Sequence, residues 1–218
     1  MKIVLGLLCI LGQYLYVRST FKKNYSFGLI CKSVASVCFL LLGVIGYKTY
    51  SINFNLYLLI GFIFDMIGDV LLGLRRLLLH DVMFFVGTIA FMVGHIFYVL
   101  ALNSVINKGF MLCLLIGIAI GVALYIHFVS NCKIPNAFKK IGVIYTSLLS
   151  IILVLSIRHY IENPIGCNLL FMIGSIFFSI SDYVLIYNSF GKKKWWMHPL
   201  YSSMYYIGQL IIAYSMFN

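Results

Sequence analysis

Acidic residues are scarce in this chain. Its 218 positions carry five of them, Asp65, Asp69, Asp81, Glu162 and Asp182, against sixteen Lys and Arg. Charged residues make up 10% of the sequence and apolar ones 63%, with a mean hydropathy of +1.05. A soluble domain is nearer a quarter charged and half apolar, so an ordinary soluble core is excluded. Proline is limited to Pro135, Pro164 and Pro199, all expected in loops, so no apolar run is broken at mid-depth. Metal-ligand patterns are also missing. The six cysteines (9, 31, 38, 113, 132 and 167) form no CxxC pair, and the five histidines form no HxxxH or HExxH pair. Of the histidines, His80, His127 and His198 are expected at one membrane boundary and His159 at the other, leaving His95 alone inside. A disulfide framework and an intramembrane zinc hydrolase are therefore poor readings, and the cysteines read as small apolar residues.

What the chain has is long apolar runs, recurring along its whole length. Spans are expected at about 3–17, 28–46, 55–74, 82–102, 109–127, 141–157, 169–188 and 200–217, which predicts an all-α membrane protein of eight helices in a single domain, 1–218. The first span begins with one Lys, but no small-x-small cleavage site precedes Arg18, so it is expected to stay as a helix. The loops after spans 1, 3, 5 and 7 hold Arg18, Lys22, Lys23, Arg75, Arg76, Lys133, Lys139, Lys140 and Lys192 to Lys194. The other side holds only Lys2, Lys48, Lys108 and Arg158, and Lys32 lies within a span. This bias predicts both termini outside and the cationic loops in the cytoplasm of a bacterial cell. It also accounts for the net charge of +11 without a nucleic-acid partner.

A weak internal repeat accompanies the spans. "FDMIGDVLL" (64–72) aligns with "FFSISDYVL" (177–185) at an offset of 113, and "FMVGHI" (91–96) with "YYIGQL" (205–210) at 114. "KSVAS" (32–36) aligns with "TSLLS" (146–150), again at 114. A near-constant offset suggests two four-helix half-repeats, a device of many membrane proteins. "GIAIG" (117–121) reads as a close-packing helix face.

The two carboxylates of "FDMIGDVLLGL", Asp65 and Asp69, are four apart and share a helix face. Reckoned at about 1.5 Å of rise per residue from the cytoplasmic ends, Lys32 and Tyr145 lie about 6 Å deep, Tyr205 about 8 Å and Asp69 roughly 8–9 Å. On the same scale Asp182 lies about 9–15 Å deep, Gln209 about 14 Å, Asp65 about 15 Å and His95 near 20 Å, with Tyr98 one turn beyond. Polar residues from six helices thus gather in one half of the bilayer, which implies an inward-opening cavity. A charge at the bilayer centre costs at least about 2.5–3.5 kcal/mol, so Asp65, Asp69, Asp182 and Lys32 must face each other or water. A buried Lys–Asp network that only fixes packing would satisfy that demand, but intramembrane charges of this kind usually mark function.

The ordered set "CKSVASVCFLLL", "GDVLL", "FMVGHIFYVLAL", "SDYVL" and "YYIGQLII" resembles the lysoplasmalogenase family, the YhhN-like integral membrane proteins, over essentially the whole chain. The resemblance implies eight transmembrane helices and hydrolysis of the vinyl ether bond of a lysoplasmalogen. The products would be a fatty aldehyde and glycerophosphoethanolamine or glycerophosphocholine. Position by position, it places the family's polar set on Lys32, Asp69, His95, Tyr98, Tyr145, Ser181, Asp182, Tyr205 and Gln209. Asp65 departs from the pattern, standing where the family carries a small residue such as Ser.

The chemistry suits these residue types. A vinyl ether hydrolyses by protonation of the alkenyl carbon remote from oxygen, followed by addition of water to the oxocarbenium ion. That requires one protonated carboxylic acid and one anion, as in glycosidases, and no metal or redox cofactor. Asp69, Asp182 and His95 are the expected catalytic residues. Asp65 beside Asp69 slightly favours Asp69 as the protonated member, since like charges disfavour joint ionisation. Lys32, Asp65, Tyr98, Tyr145, Ser181, Tyr205 and Gln209 are expected to hold the lysophospholipid, with Lys32 at its phosphate or at an Asp. The alternative is a proton-coupled transporter using the same Asp/Lys cluster. An assembly role would leave the intramembrane charges unexplained.

Overall fold

The computed structural model describes residues 1–78 and 81–217; His80 lies outside them. The described regular structure is eight α-helices: α1 (Lys2–Phe21), α2 (Tyr25–Thr49), α3 (Asn53–Leu78), α4 (Asp81–Asn103), α5 (Phe110–Asn131), α6 (Asn136–Glu162), α7 (Gly166–Phe190) and α8 (Met197–Ser215). Each corresponds to one expected span. Most run several residues further than their apolar stretch. In α6 the extra turns carry Lys139, Lys140 and Arg158, side chains that reach water beyond the hydrocarbon. Pro199 sits in the first turn of α8 rather than in a loop, where its missing N–H breaks no helical bond.

Among the described residues seven helices, α1 to α7, are long and apolar enough to cross a membrane, and the chain is a multi-pass membrane protein. Helix α8 falls short in apolarity because Tyr201, Ser202, Tyr205, Tyr206 and Gln209 interrupt it, and all five are buried in the bundle. Ile3, Leu7, Leu11, Met111, Leu112 and Leu115 are exposed along α1 and α5, as lipid-facing residues should be. All six cysteines are free and buried.

The order of packing has a four-helix period. Helix α1 packs on α2, α2 on α3 and α3 on α4; α5 packs on α6, α6 on α7 and α7 on α8. Three further contacts join the sets: α4 on α6 and α8 on α2, which are reciprocal, and α1 on α8. Close approach depends on glycine at matched places. A Cβ on Gly94 would come within 3.1 Å of the Gly61 carbonyl oxygen, and one on Gly208 within 2.9 Å of the Gly174 carbonyl oxygen. These pairs are 113 and 114 residues apart, the offset of the repeated motifs. Asn55 donates to the Tyr50 carbonyl at 2.9 Å and Asn168 to the Asn163 carbonyl at 2.8 Å, closing equivalent turns. The "GIAIG" face of α5 lies so close to α6 that a Cβ on Gly117 would meet the Ile151 backbone at 2.6 Å.

Candidate functional site

At the end of the bundle that carries Arg75, Arg76 and Lys193, a cavity of about 360 Å³ enters between α2, α3, α7 and α8. Of the residues expected in the site, Lys32, Asp69, Ser181, Asp182 and Tyr205 line it. A smaller apolar cavity of about 50 Å³, among Phe128, Phe138, Tyr145 and Phe190, adjoins it and shares Leu72, Phe84, Phe91, Leu185 and Ser189 with its wall.

Asp69 is the most heavily partnered carboxylate. Lys32 Nζ approaches Oδ1 at 2.9 Å, while Oδ2 accepts from Ser36 at 2.6 Å and Tyr205 at 3.0 Å. Tyr206 stands 3.4 Å from the same oxygen and 3.2 Å from the Lys32 carbonyl. Helix register explains the arrangement. Lys32 and Ser36 are one turn apart on α2, so both meet the α3 face that presents Asp69. One ammonium and a set of hydroxyl donors are the complement of an anionic carboxylate, and this is what lets the charge sit in the bundle.

Asp182 is served differently. Tyr145 donates a short hydrogen bond to its Oδ2, and among the described residues no cation lies within ion-pairing distance. Asp182 thus has one neutral donor where Asp69 has an ammonium and two hydroxyls. Asp69, the carboxylate slightly favoured as the acid by its neighbour Asp65, is the one of the two that holds the cation.

One turn deeper, α3 and α8 repeat the pairing with other residues. Asp65, four residues before Asp69, receives Gln209, four residues after Tyr205, at 2.8 Å on Oδ2. Tyr98 also donates to Oδ2 of Asp65 and lies 3.1 Å from the Gln209 side-chain oxygen. The other oxygen of Asp65 has no partner among the described residues and rests against Gly94, where a Cβ would stand 2.7 Å from it. Asp65, Tyr98 and Gln209 therefore form a sealed cluster beneath the cavity and are not among its lining residues. His95 is fully buried beside Tyr145 and Phe178, with ring centroids 5.2 and 5.1 Å away, and among the described residues neither ring nitrogen has a hydrogen-bond partner. The hydroxyl of Ser181, on the cavity wall, is likewise unpartnered.

Several contributors escaped sequence reasoning. Ser36 and Tyr206 complete the shell of Asp69, and Tyr16, Arg76 and Tyr201 build the outer wall. Ser36 was within reach, being one turn from Lys32 in "KSVAS" and matched by Ser150 in the repeat. The tyrosines carried no signal, since the chain has sixteen and interfacial tyrosine is common. Among the described residues no group of three His, Cys, Asp or Glu is placed to ligate a metal.

The family model described as the YhhN family matches residues 27–216, from the start of α2 to the end of α8. No curated protein and no solved structure matches the chain.

Proposed function

From a chain that belongs to the YhhN family and carries this cavity, we propose a lysoplasmalogenase, a hydrolase of the vinyl ether bond of lysoplasmalogens. The observation that carries the reading is the unequal treatment of two carboxylates lining one cavity: Asp69 is ion-paired and, among the described residues, Asp182 is not. Vinyl ether hydrolysis needs that inequality, because one group must give a proton while the other stays negative.

In the proposed reaction the single-chain lipid enters with its glycerophosphate head at the cationic end and its tail against the aromatic residues of the adjoining apolar cavity. Asp182 transfers its proton to the alkenyl carbon remote from oxygen, and the C=C electron pair forms the new C–H bond. Positive charge then develops on the carbon–oxygen unit, where Asp69 stabilises it. Water adds to the oxocarbenium carbon and gives its proton to Asp182. The hemiacetal collapses to the aldehyde and the glycerol hydroxyl. Tyr145 orients Asp182, and Lys32 with Ser36 and Tyr205 holds Asp69. His95, fully buried and outside the lining of both cavities, packs against Tyr145 and supports its bond to Asp182 rather than touch the lipid. Asp65, Tyr98 and Gln209 position α3 against α4 and α8 rather than touch the lipid. The cationic loops are assigned to the cytoplasm of a bacterial cell, so the cavity faces inward.

The test is incubation of the purified protein in sealed proteoliposomes with a lysoplasmalogen and with its saturated alkyl-ether analogue. The hydrolase reading expects aldehyde from the first alone. No aldehyde from either, with transbilayer movement of both, would make the protein a carrier.

A further inference from the structure

The two arginines that end α3 part company. Arg75 turns to Asp81, with Nε at 3.2 Å and Nη2 at 3.0 Å from the same carboxylate oxygen. Arg76 turns inward and finds only neutral partners: Nη1 donates to Thr20 at 3.0 Å and Nη2 to the Tyr201 hydroxyl at 3.1 Å. Its guanidinium also lies 5.7 Å from the centre of the Tyr16 ring. Among the described residues no carboxylate pairs with it. An arginine has five N–H donors, so this seat leaves three unspent, and the side chain lines the cavity. Lys32 is occupied by Asp69 and Arg75 by Asp81, which leaves Arg76 and Lys193 as the cavity-wall cations with no acidic partner among the described residues.

A half-buried guanidinium, fixed by neutral acceptors and aimed into a cavity, is built to receive an anion from outside the chain. Its planar fork fits two oxygens of a phosphate. The spacing also suits a lysophospholipid. Arg76 follows Asp69 by seven residues, two helical turns, which places it on the same face about 10.5 Å further out. Six bonds separate phosphorus from the oxocarbenium carbon that Asp69 stabilises, roughly 7.5 Å when extended at bond lengths near 1.5 Å, and the length of the arginine side chain takes up the difference. We infer that Arg76, seated by Tyr16, Thr20 and Tyr201, is the anchor for the substrate's phosphodiester. The inference rests on the lysophospholipid reading of the cavity and deepens it: Lys32 serves Asp69, and the phosphate belongs to Arg76. It also gives α1, which lies outside the matched residues 27–216, a part in substrate recognition.

The test is binding, which is separate from turnover. Purified protein in lipid discs is titrated with a saturated 1-alkyl lysophosphocholine, with the 1-alkylglycerol of the same chain, and with inorganic phosphate. The wild type should bind the phosphate-bearing lipid about tenfold or more tightly than the alkylglycerol, as expected for charged hydrogen bonds in a half-buried site. Arg76→Gln should erase that difference without weakening alkylglycerol binding, and Arg76→Lys, which keeps charge but loses the fork, should fall between. In turnover, Arg76→Gln should raise KM while kcat stays within a few fold. Equal wild-type affinity for the two lipids would overturn the inference without recourse to any variant. So would equal loss of both lipids in Arg76→Gln, which is the mark of a structural role. Inorganic phosphate binding as tightly as the phosphate-bearing lipid, with the same dependence on Arg76, would make this a free-phosphate site and overturn the lipid assignment. Absence of aldehyde release would leave these affinities readable.

Discussion

The first four helices and the last four share a scaffold and differ in what they do with it. Gly61 and Gly94 bring α3 against α4 as Gly174 and Gly208 bring α7 against α8, and Asn55 and Asn168 close matched turns. Each half presents an aspartate at the same register, Asp69 and Asp182. The position that provides Lys32 in the first half provides Thr146 in the second, and Asp65 is replaced there by Phe178. One aspartate therefore has a cation at 2.9 Å and the other has a tyrosine hydroxyl. In the proposed reaction this unequal partnering assigns the anion role to Asp69 and the acid role to Asp182.

The strongest way to break this comparison is to neutralise the carboxylate in the second half. Asp182→Asn should lower aldehyde release by about 10²–10⁴-fold, the usual contribution of a general acid, while the thermal melting temperature stays near that of the wild type. A turnover within a few fold of the wild type would remove Asp182 from the mechanism.

Removing the cation of the first half makes the two halves alike. Lys32→Met strands Asp69 as a buried charge, which should cost about 3–5 kcal/mol of stability in denaturant titration. The double variant Lys32→Met/Asp69→Asn should regain much of that stability and remain inactive. If the single variant were as stable as the wild type, the ion pair would not be what holds Asp69 in the bundle.

The mildest perturbation compares the two glycine crossings. Gly208→Ala and Gly94→Ala should each destabilise by about 1–3 kcal/mol, as overpacked helix contacts do. Only Gly94→Ala also meets the side chain of Asp65, at 2.7 Å, so it should slow turnover beyond its effect on stability. Equal turnover losses in the two variants would show that Asp65 has no part in positioning the site.

The helices were legible because apolar runs of bilayer length leave little other choice. The Asp–Lys cluster was legible because buried charges must find partners, and the offsets of 113 and 114 suggested two four-helix half-repeats without saying which helices pair. Two things were hidden. Depth along a helix says nothing of the face a side chain takes, so the sealed Asp65–Tyr98–Gln209 cluster and the open Asp69–Asp182 wall looked like one site. The outer wall was hidden because its parts look ordinary singly: Tyr16 and Tyr201 as belt residues, Arg76 as topological charge. Only tertiary packing shows that Arg76 turns away from Asp81 while Arg75 does not.

Protonation of carbon leaves a mark in the product, and this allows the most direct measurement. Wild-type protein acting on a lysoplasmalogen in D₂O, with the aldehyde reduced at once by borohydride and weighed by mass spectrometry, should yield product carrying one deuterium at the carbon next to the former carbonyl. An aldehyde released without that deuterium would contradict acid-initiated cleavage, and with it the division of labour between Asp182 and Asp69.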